Sequence, residues 1–388
     1  MNNIPETYQV AIVGGGPVGL YLGLCLEQAD ISYIILEKRS APRAGSRSLG
    51  IHPVSLELFE ELNIASNFIH DGIKIQKGHA FINTEKIGTL SFEHCPKPFN
   101  FILALPQHQT ETLLEQALTE RNPNTLLRNA EVKTITESNK YVEIAFNQNG
   151  EKHAIQSEYL VGCDGKNSLV RKQTGISFQG QHYPDTYIMG DFTDNTHFGS
   201  DAAIFLCNEG LIESFPLPNN QRRWVLKTAD YIDDVSKEQL TSNVFNRIGH
   251  SLSSTQHTMI SSFGVQKLIA KPMVKNRTIL VGDAAHIVSP IGGQGMNLGW
   301  LDARDLANTL HQVLGNNFKK DTILNQYQKR REHAVKNAAK RAEMNMKLGR
   351  KITAPFFRKK LISLMLKPPI SQLMANIFTM RGIERWPI

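Results

Sequence analysis

Cysteine is scarce in this chain. Cys25, Cys95, Cys163 and Cys207 are the four present, and no two stand in a Cys-x-x-Cys spacing. A disulfide-stapled scaffold and a thiol redox pair are thereby excluded, and a reducing, cytoplasmic setting fits. Cys25 and Cys163 fall in apolar stretches and read as small core residues. The histidines are scattered without metal-ligand spacing, so no metal site is expected. Serine triads, carboxylate dyads, internal repeats and low-complexity linkers are also missing. Tyr8 to Leu26 carries no charge and is long enough to test as a membrane span. Three consecutive glycines and a proline interrupt it, and Glu6 rather than a basic cluster precedes it. It therefore reads as a strand, a turn and a buried helix, not as an anchor or a signal peptide.

Acidic residues are the minority, leaving a net charge of +7. Much of the excess follows Lys319, in Lys329-Arg330-Arg331, Lys340-Arg341, Arg350-Lys351 and Arg358-Lys359-Lys360. These runs read as a solvated face on C-terminal helices. No nucleic-acid motif or interleaved aromatic stripe accompanies them, so nucleic acid is not an expected partner. The chain's 388 residues allow a large core and two domains.

Against these absences stands one dense motif. The apolar strand Tyr8–Val13 runs into Gly14-Gly15-Gly16-Pro17-Val18-Gly19, a Gly-x-Gly-x-x-Gly that opens a helix. Gly14 permits the tight turn, Gly16 lets backbone approach a pyrophosphate, and Gly19 allows close helix–strand packing. The next apolar run, Tyr33-Ile34-Ile35-Leu36, ends on Glu37, placed to accept from a ribose. An acid there suits a free 2′-hydroxyl and repels a 2′-phosphate, so FAD or NAD fits this site and NADP does not.

Helical periodicity follows at Pro53–Leu62 and Thr110–Thr119. Strand-like alternation appears at Lys140–Asn147, Tyr187–Phe192, Ala202–Leu206 and Arg223–Thr228. Asn149-Gly150 is placed as a hairpin turn. Two further strand–loop motifs complete the set. Ile155–Val161 leads into Gly162-Cys163-Asp164-Gly165, with Ser168 and Arg171 beyond. Ile279-Leu280-Val281 leads into Gly282-Asp283-Ala284-Ala285-His286, then Pro290 and Gly292-Gly293-Gln294-Gly295-Met296-Asn297. Asp283 at a strand end can accept from a ribityl hydroxyl, and the glycines let backbone lie against a flat ring.

These three motifs, in this order, resemble the single-component flavoprotein monooxygenases, the family of 4-hydroxybenzoate hydroxylase. The likeness covers about residues 8–315. It implies an α/β fold: a Rossmann-type FAD-binding domain interleaved with a β-sheet-rich substrate domain, plus C-terminal helices. The FAD-binding domain would comprise residues 1–73, 103–175 and 273–315, the substrate domain 74–102 and 176–272, and the helical segment 316–388. By motif match, Gly14, Gly16, Gly19 and Glu37 would hold the ADP half of FAD. Arg47 would approach flavin and pyrophosphate, and Gln107 the flavin. Asp164 would serve FAD and the nicotinamide cofactor, Asp283 the ribityl chain, and Pro290, Gly293, Gly295, Met296 and Asn297 the isoalloxazine. His286 reads as structural. His52, on the flavin side by motif position, is the one side chain named as a catalytic candidate.

The resemblance implies that NADPH or NADH reduces FAD. Dioxygen then adds, and a C4a-hydroperoxide hydroxylates an aromatic, phenolic or polyketide-like small molecule. An FAD-linked reductase without oxygen transfer, or a non-catalytic flavin-binding protein, is the alternative. A flavin-dependent halogenase is disfavoured because Trp224, Trp300 and Trp386 are isolated, with no Trp-x-Trp pair. Phe192, Phe205, Phe215 and Trp224 are the candidate substrate contacts, although aromatic strand residues are more often plain core. Ile370, Leu373, Met374, Ile377 and Phe378 form a helical apolar stripe after Pro368-Pro369. The C-terminal helices are expected to dock on the catalytic body and close the substrate cavity, with peripheral membrane contact as the alternative.

Overall fold

In the computed structural model, which describes residues 6–42, 45, 48–315, 319–350 and 355–384, the first strand is central. Thr7–Val13 pairs in parallel with Tyr33–Glu37 on one side and with Glu151–Gly162 on the other. Thr278–Leu280 and Leu126–Arg128 extend the parallel sheet outward. Helices cover both faces of such a sheet, which explains why Tyr33-Ile34-Ile35-Leu36 is apolar throughout and fully buried. An antiparallel extension, Ala130–Glu137 and Val142–Gln148, joins through Glu151–Gly162. The turn of that hairpin is Asn149-Gly150, both at positive φ, as the dipeptide predicts.

A second, eight-stranded sheet draws on three separate parts of the chain, with the short strand His286–Ile287 at one edge. Lys77–Ile82 and Glu85–Ser91 form one edge, and the strands between Ser177 and Lys271 form the body. The long strands Ser177–Thr193 and His257–Lys271 span both units. Near Phe178 and Ala270 they pack with the parallel sheet's core, and further along they carry the second sheet.

The two faces of this sheet differ. Helix Lys237–Ile248, started by a Ser236/Gln239 capping box and ended at Gly249, covers the back. Phe192, Phe205 and Trp224 pack there with Leu240 and Val244. These three aromatics are therefore core, not substrate contacts: strand alternation turns them away from the first unit. The front face holds Tyr187, Met189, Val225 and Phe263, in one cluster with Ile291 of the glycine-rich loop.

The C-terminal segment is helical, as its periodicity predicts. Lys320–Gly349 places Ala334, Val335 and Ala338 against the first unit and Met346 against the second. Pro355–Met365 contributes Ile362 to the front-face cluster, and Ile370–Phe378 buries Met374, Ala375 and Ile377. Leu361, Leu364 and Leu373 remain exposed. No helix among the described residues is long and apolar enough to cross a membrane.

The basic runs are not simply a solvated face. Arg331 and Arg341 are buried. Arg331 donates to Asp302 at 2.7 Å, and Asp302 also binds the buried His286. Burial alone would raise the Asp302 carboxyl, but His286 and Arg331 hold it below its usual range. His286 is thus structural. Removing one member leaves buried charge without its partner, at a cost of about 3–5 kcal/mol. Asp302→Ala is expected to lower unfolding free energy by that amount at neutral pH, measured by urea denaturation. Because the folded pKa is depressed, Asp302's contribution is complete above the unfolded carboxyl value of ~4. It is lost as pH falls through the lower folded value, so the deficit must shrink in acid. An unchanged midpoint at neutral pH would contradict this role.

Candidate flavin site

The first glycine corner is set by backbone contact. Gly14 has φ +108°, and a Cβ there would stand 2.5 Å from the Cys163 carbonyl oxygen. A Cβ at Gly19 would stand 1.9 Å from the Gly14 carbonyl oxygen. Only glycine fits either place. Helix Pro17–Gln28 begins after Gly16 with proline in its first turn, no side-chain cap and no acidic residue within that turn. Its N-terminal N–H groups are left without a side-chain cap, the arrangement that suits an anion.

Glu37 is buried, but not idle. Its carboxylate accepts from the Gly15 N–H at 2.7 Å, the Arg39 N–H at 2.8 Å and the Arg39 Nε at 2.9 Å. Burial would raise its pKa, but Arg39 and these N–H groups hold it below the usual range. With Arg39 Nη2 at 3.3 Å, every lone-pair position is taken. A ribose reaching Glu37 must displace Arg39, whose side chain is 30% exposed. Arg39 also reaches Glu111, which accepts from Gln107 Nε2 at 2.8 Å. Gln107 is the first residue of helix Gln107–Arg121 rather than preceding it.

Asp164 has one oxygen committed: it accepts from the Leu169 and Val170 N–H groups at 2.6 and 3.1 Å, capping the short helix Leu169–Gln173. Its other oxygen is buried without a partner, and burial pushes the carboxyl up.

Asp283 differs. It lies in the turn Gly282–Ala284 at the end of a parallel strand, accessible, with no hydrogen bond or ion pair among the described residues. Surrounding protein mass nonetheless pushes its carboxyl up. An accessible carboxyl without a partner of its own is a ready acceptor for hydroxyls. Gly282 and Gly299 both crowd Val18, a Cβ at Gly299 meeting it at 2.6 Å. That contact brings Asp283 beside the start of the first helix.

The glycine-rich loop closes the cleft. Gly292 and Gly293 have φ +92° and +66°, and Pro290 is exposed. Asn297 anchors the loop through four hydrogen bonds. Its Oδ1 accepts from the His52 N–H at 2.8 Å and the Ser55 hydroxyl at 2.7 Å. Its Nδ2 donates to the Gly50 and Gly293 carbonyls, both at 2.8 Å. The Asn297 side chain is therefore spent on holding the loop. Met296 is buried at its base, next to Gly295.

His52 is buried, and burial pushes its pKa down to about 4, so it is neutral at neutral pH. Its Nε2 donates to the Gly292 carbonyl at 3.1 Å. The geometry gives it a loop-positioning part. Arg47 lies outside the described residues. Sequence reasoning missed Asn345, whose Nδ2 stands 2.7 Å from where a Gly292 Cβ would lie, and whose Oδ1 is buried without a partner. It also missed Gln294, whose buried Oε1 is likewise unpartnered. Nothing in the residues around Asn345 signals a site, because helix Lys320–Gly349 meets the loop only in three dimensions.

Fold and site together define a protein with a dinucleotide cleft and a flat-ring loop. The chain belongs to the FAD binding domain family, which matches residues 7–342. FAD fits the residues present: an uncapped helix start for the pyrophosphate, an Asp283 without a partner among the described residues, and a loop with Gly292 and Gly293 at positive φ. An uncharacterized aromatic compound monooxygenase, YhjG from Bacillus subtilis, is 31% identical over 348 residues, covering 88% of this chain and 68% of that protein. Pentachlorophenol 4-monooxygenase from Sphingobium chlorophenolicum is 26% identical over 334 residues, covering 81% and 60%. The solved p-nitrophenol 4-monooxygenase from Pseudomonas putida superposes with a TM-score of 0.86 at 20% identity, covering 99% of this chain and all of that one, and so shares the fold. The chain thus spans about two thirds of these curated relatives' length. The resemblance to the flavoprotein monooxygenases is borne out at the level of family and fold.

Asp283→Ala removes an acceptor and leaves the turn intact. A hydrogen bond to a charged group contributes about 1.5–3 kcal/mol, so FAD affinity should fall about 10- to 100-fold in fluorescence titrations of apoprotein. An affinity within twofold of the original would place the ribityl contact elsewhere.

Proposed function

We propose that this protein is an FAD-dependent monooxygenase that hydroxylates an aromatic or polyketide-like small molecule, using NADPH or NADH and dioxygen. FAD, when bound, supplies the redox chemistry and the activation of oxygen. The chain's own residues bind, orient and exclude water. Gly14, Gly16 and Gly19 admit the pyrophosphate, with Glu37, Arg47, Gln107 and Asp164 around the ADP and flavin edges. Asp283 takes the ribityl hydroxyls, and Pro290, Gly293, Gly295 and Met296 wall the ring. His52 and Asn297 hold that wall in place. Residues 1–73, 103–175 and 273–315 serve as the FAD-binding domain, and 74–102 and 176–272 as the substrate domain. Four free cysteines, three of them buried, accord with a cytoplasmic setting.

One observation carries this reading. The glycine-rich loop faces the front of the second sheet, with Ile291 packed among Tyr187, Met189, Val225 and Phe263. A ring held by the loop would look onto a mainly apolar wall. Helices Pro355–Met365 and Ile370–Phe378 cover the same region, excluding water as oxygen transfer requires. Phe215, unlike the other three aromatics, belongs to this side, in a cluster with Leu49 and Phe378.

Purified protein supplied with NADPH or NADH, labelled dioxygen and a panel of phenols and polyketides should oxidise the nucleotide faster with one substrate. Mass spectrometry should then find one labelled atom in that product. Faster oxidation with no label in the product would instead mark a reductase or oxidase.

A further inference from the structure

One carboxyl on the front face of the second sheet has no part in the structure described so far. Glu213 stands midway along strand Gly210–Leu217. Leu211 on one side joins the cluster containing Ile291 and Ile362, and Phe215 on the other joins the cluster containing Leu49 and Phe378. Glu213 thus lies in the gap between two apolar clusters, each including a residue beside the flavin loop or strand and one from a covering helix. Its cross-strand neighbours are Ile204 and Val225. It is half-buried, and among the described residues its carboxylate makes no hydrogen bond and no ion pair.

The other acids on this side are committed. Asp191 binds Arg223 at 2.6 and 2.8 Å; Asp185 binds Lys227 at 3.2 Å and Arg350 at 2.5 Å. Glu343 on helix Lys320–Gly349 binds Lys267 and the Tyr183 hydroxyl. The adjoining strand Ala202–Cys207 offers only Ile204 and Leu206, and the covering helix Pro355–Met365 has its Lys359 paired with Glu85. Two buried hydroxyls on the same face, Tyr187 and Ser261, also lack partners. Buried polar groups are normally satisfied, so unpartnered ones on one sheet face mark a place where a polar ligand can supply the missing partner.

We propose that Glu213 is the substrate-binding base of this chamber: it accepts a hydrogen bond from a hydroxyl on the substrate's ring and takes its proton. This rests on the monooxygenase reading above. In the step, the substrate O–H bond breaks, a carboxyl O–H bond forms, and the electron pair stays on the ring oxygen. Nothing is oxidised or reduced, and the ring becomes more electron-rich toward oxygen transfer. The substrate class is therefore a ring carrying a hydroxyl, not an unsubstituted arene. Burial lifts the Glu213 pKa to about 7. Only the carboxylate accepts strongly, so hydroxyl binding strengthens as pH rises through that value.

Equilibrium dialysis of the FAD-loaded protein tests this without turnover. The probes are 4-methylphenol, which stays neutral from pH 5 to 9, and its methyl ether, which cannot donate. The wild type should bind the phenol more tightly as pH rises, inflecting near 7, and bind the ether without pH dependence. Glu213→Leu should weaken phenol binding at pH 8 by about tenfold or more and leave the ether within about twofold. Glu213→Gln should keep part of the affinity but lose the inflection; unchanged FAD content shows that each variant folds. Equal binding of phenol and ether, an inflection that survives in Glu213→Gln, or binding of neither probe would overturn the proposal. Expected binding with no labelled oxygen in any product would leave the Glu213 site standing and remove the monooxygenase reading instead.

Discussion

Backbone lying directly on backbone at Gly14 and Gly19 is the contact on which the cleft depends. The Gly14 carbonyl occupies the place of a Gly19 Cβ, and the Cys163 carbonyl the place of a Gly14 Cβ. These approaches seat the first helix on the parallel sheet with its N-terminus open. Val18, carried at that helix start, then packs against Gly282 and Gly299, so the turn bearing Asp283 comes to the same cleft. Side chains at these glycines would push apart three segments that are distant in sequence.

Charge pairing separates the groups that hold the fold from those that remain for a ligand. Asp302, Asp191, Asp185 and Glu37 each face an arginine or lysine at short range. The fold supplies their partners, and an ionised carboxylate is stable there. Asp283 and Glu213 form no ion pair among the described residues, and burial is the main influence raising both. A carboxyl that the fold desolvates without compensating is destabilising by itself. Such groups are expected where a bound molecule provides the missing donor. Asp283 lies in the turn after the parallel strand Thr278–Leu280, and Glu213 on the front face of the second sheet.

The sequence revealed most of the nucleotide-binding half, because its determinants are local. A strand, a glycine turn and a helix start occupy adjacent residues, and their spacing is dictated by the pyrophosphate. The Asn149-Gly150 hairpin and the break at Pro368-Pro369 were legible for the same reason. The substrate half was not. Alternation predicted strands at Tyr187–Phe192 and Arg223–Thr228, but it cannot say which face meets the flavin loop. Phe192, Phe205 and Trp224 proved to lie under helix Lys237–Ile248, while Glu213, a lone acid in an apolar strand, carried no motif. Arg331 and Arg341 looked like solvent-facing charge because their partners, Asp302 and the Arg381 carbonyl, lie 29 and 40 residues away. Asn297 was legible as part of the loop, but its four bonds to His52, Ser55, Gly50 and Gly293 belong to tertiary structure.

The glycine corner, the open helix start and the turn bearing Asp283 together make this cleft one for FAD. The most direct test is the absorption spectrum of the purified protein, with identification of what it releases on denaturation. The protein should be yellow, with flavin bands, and give up about one FAD per chain, the single site that one such cleft allows. A colourless protein that takes up no FAD when the cofactor is added in excess would contradict it.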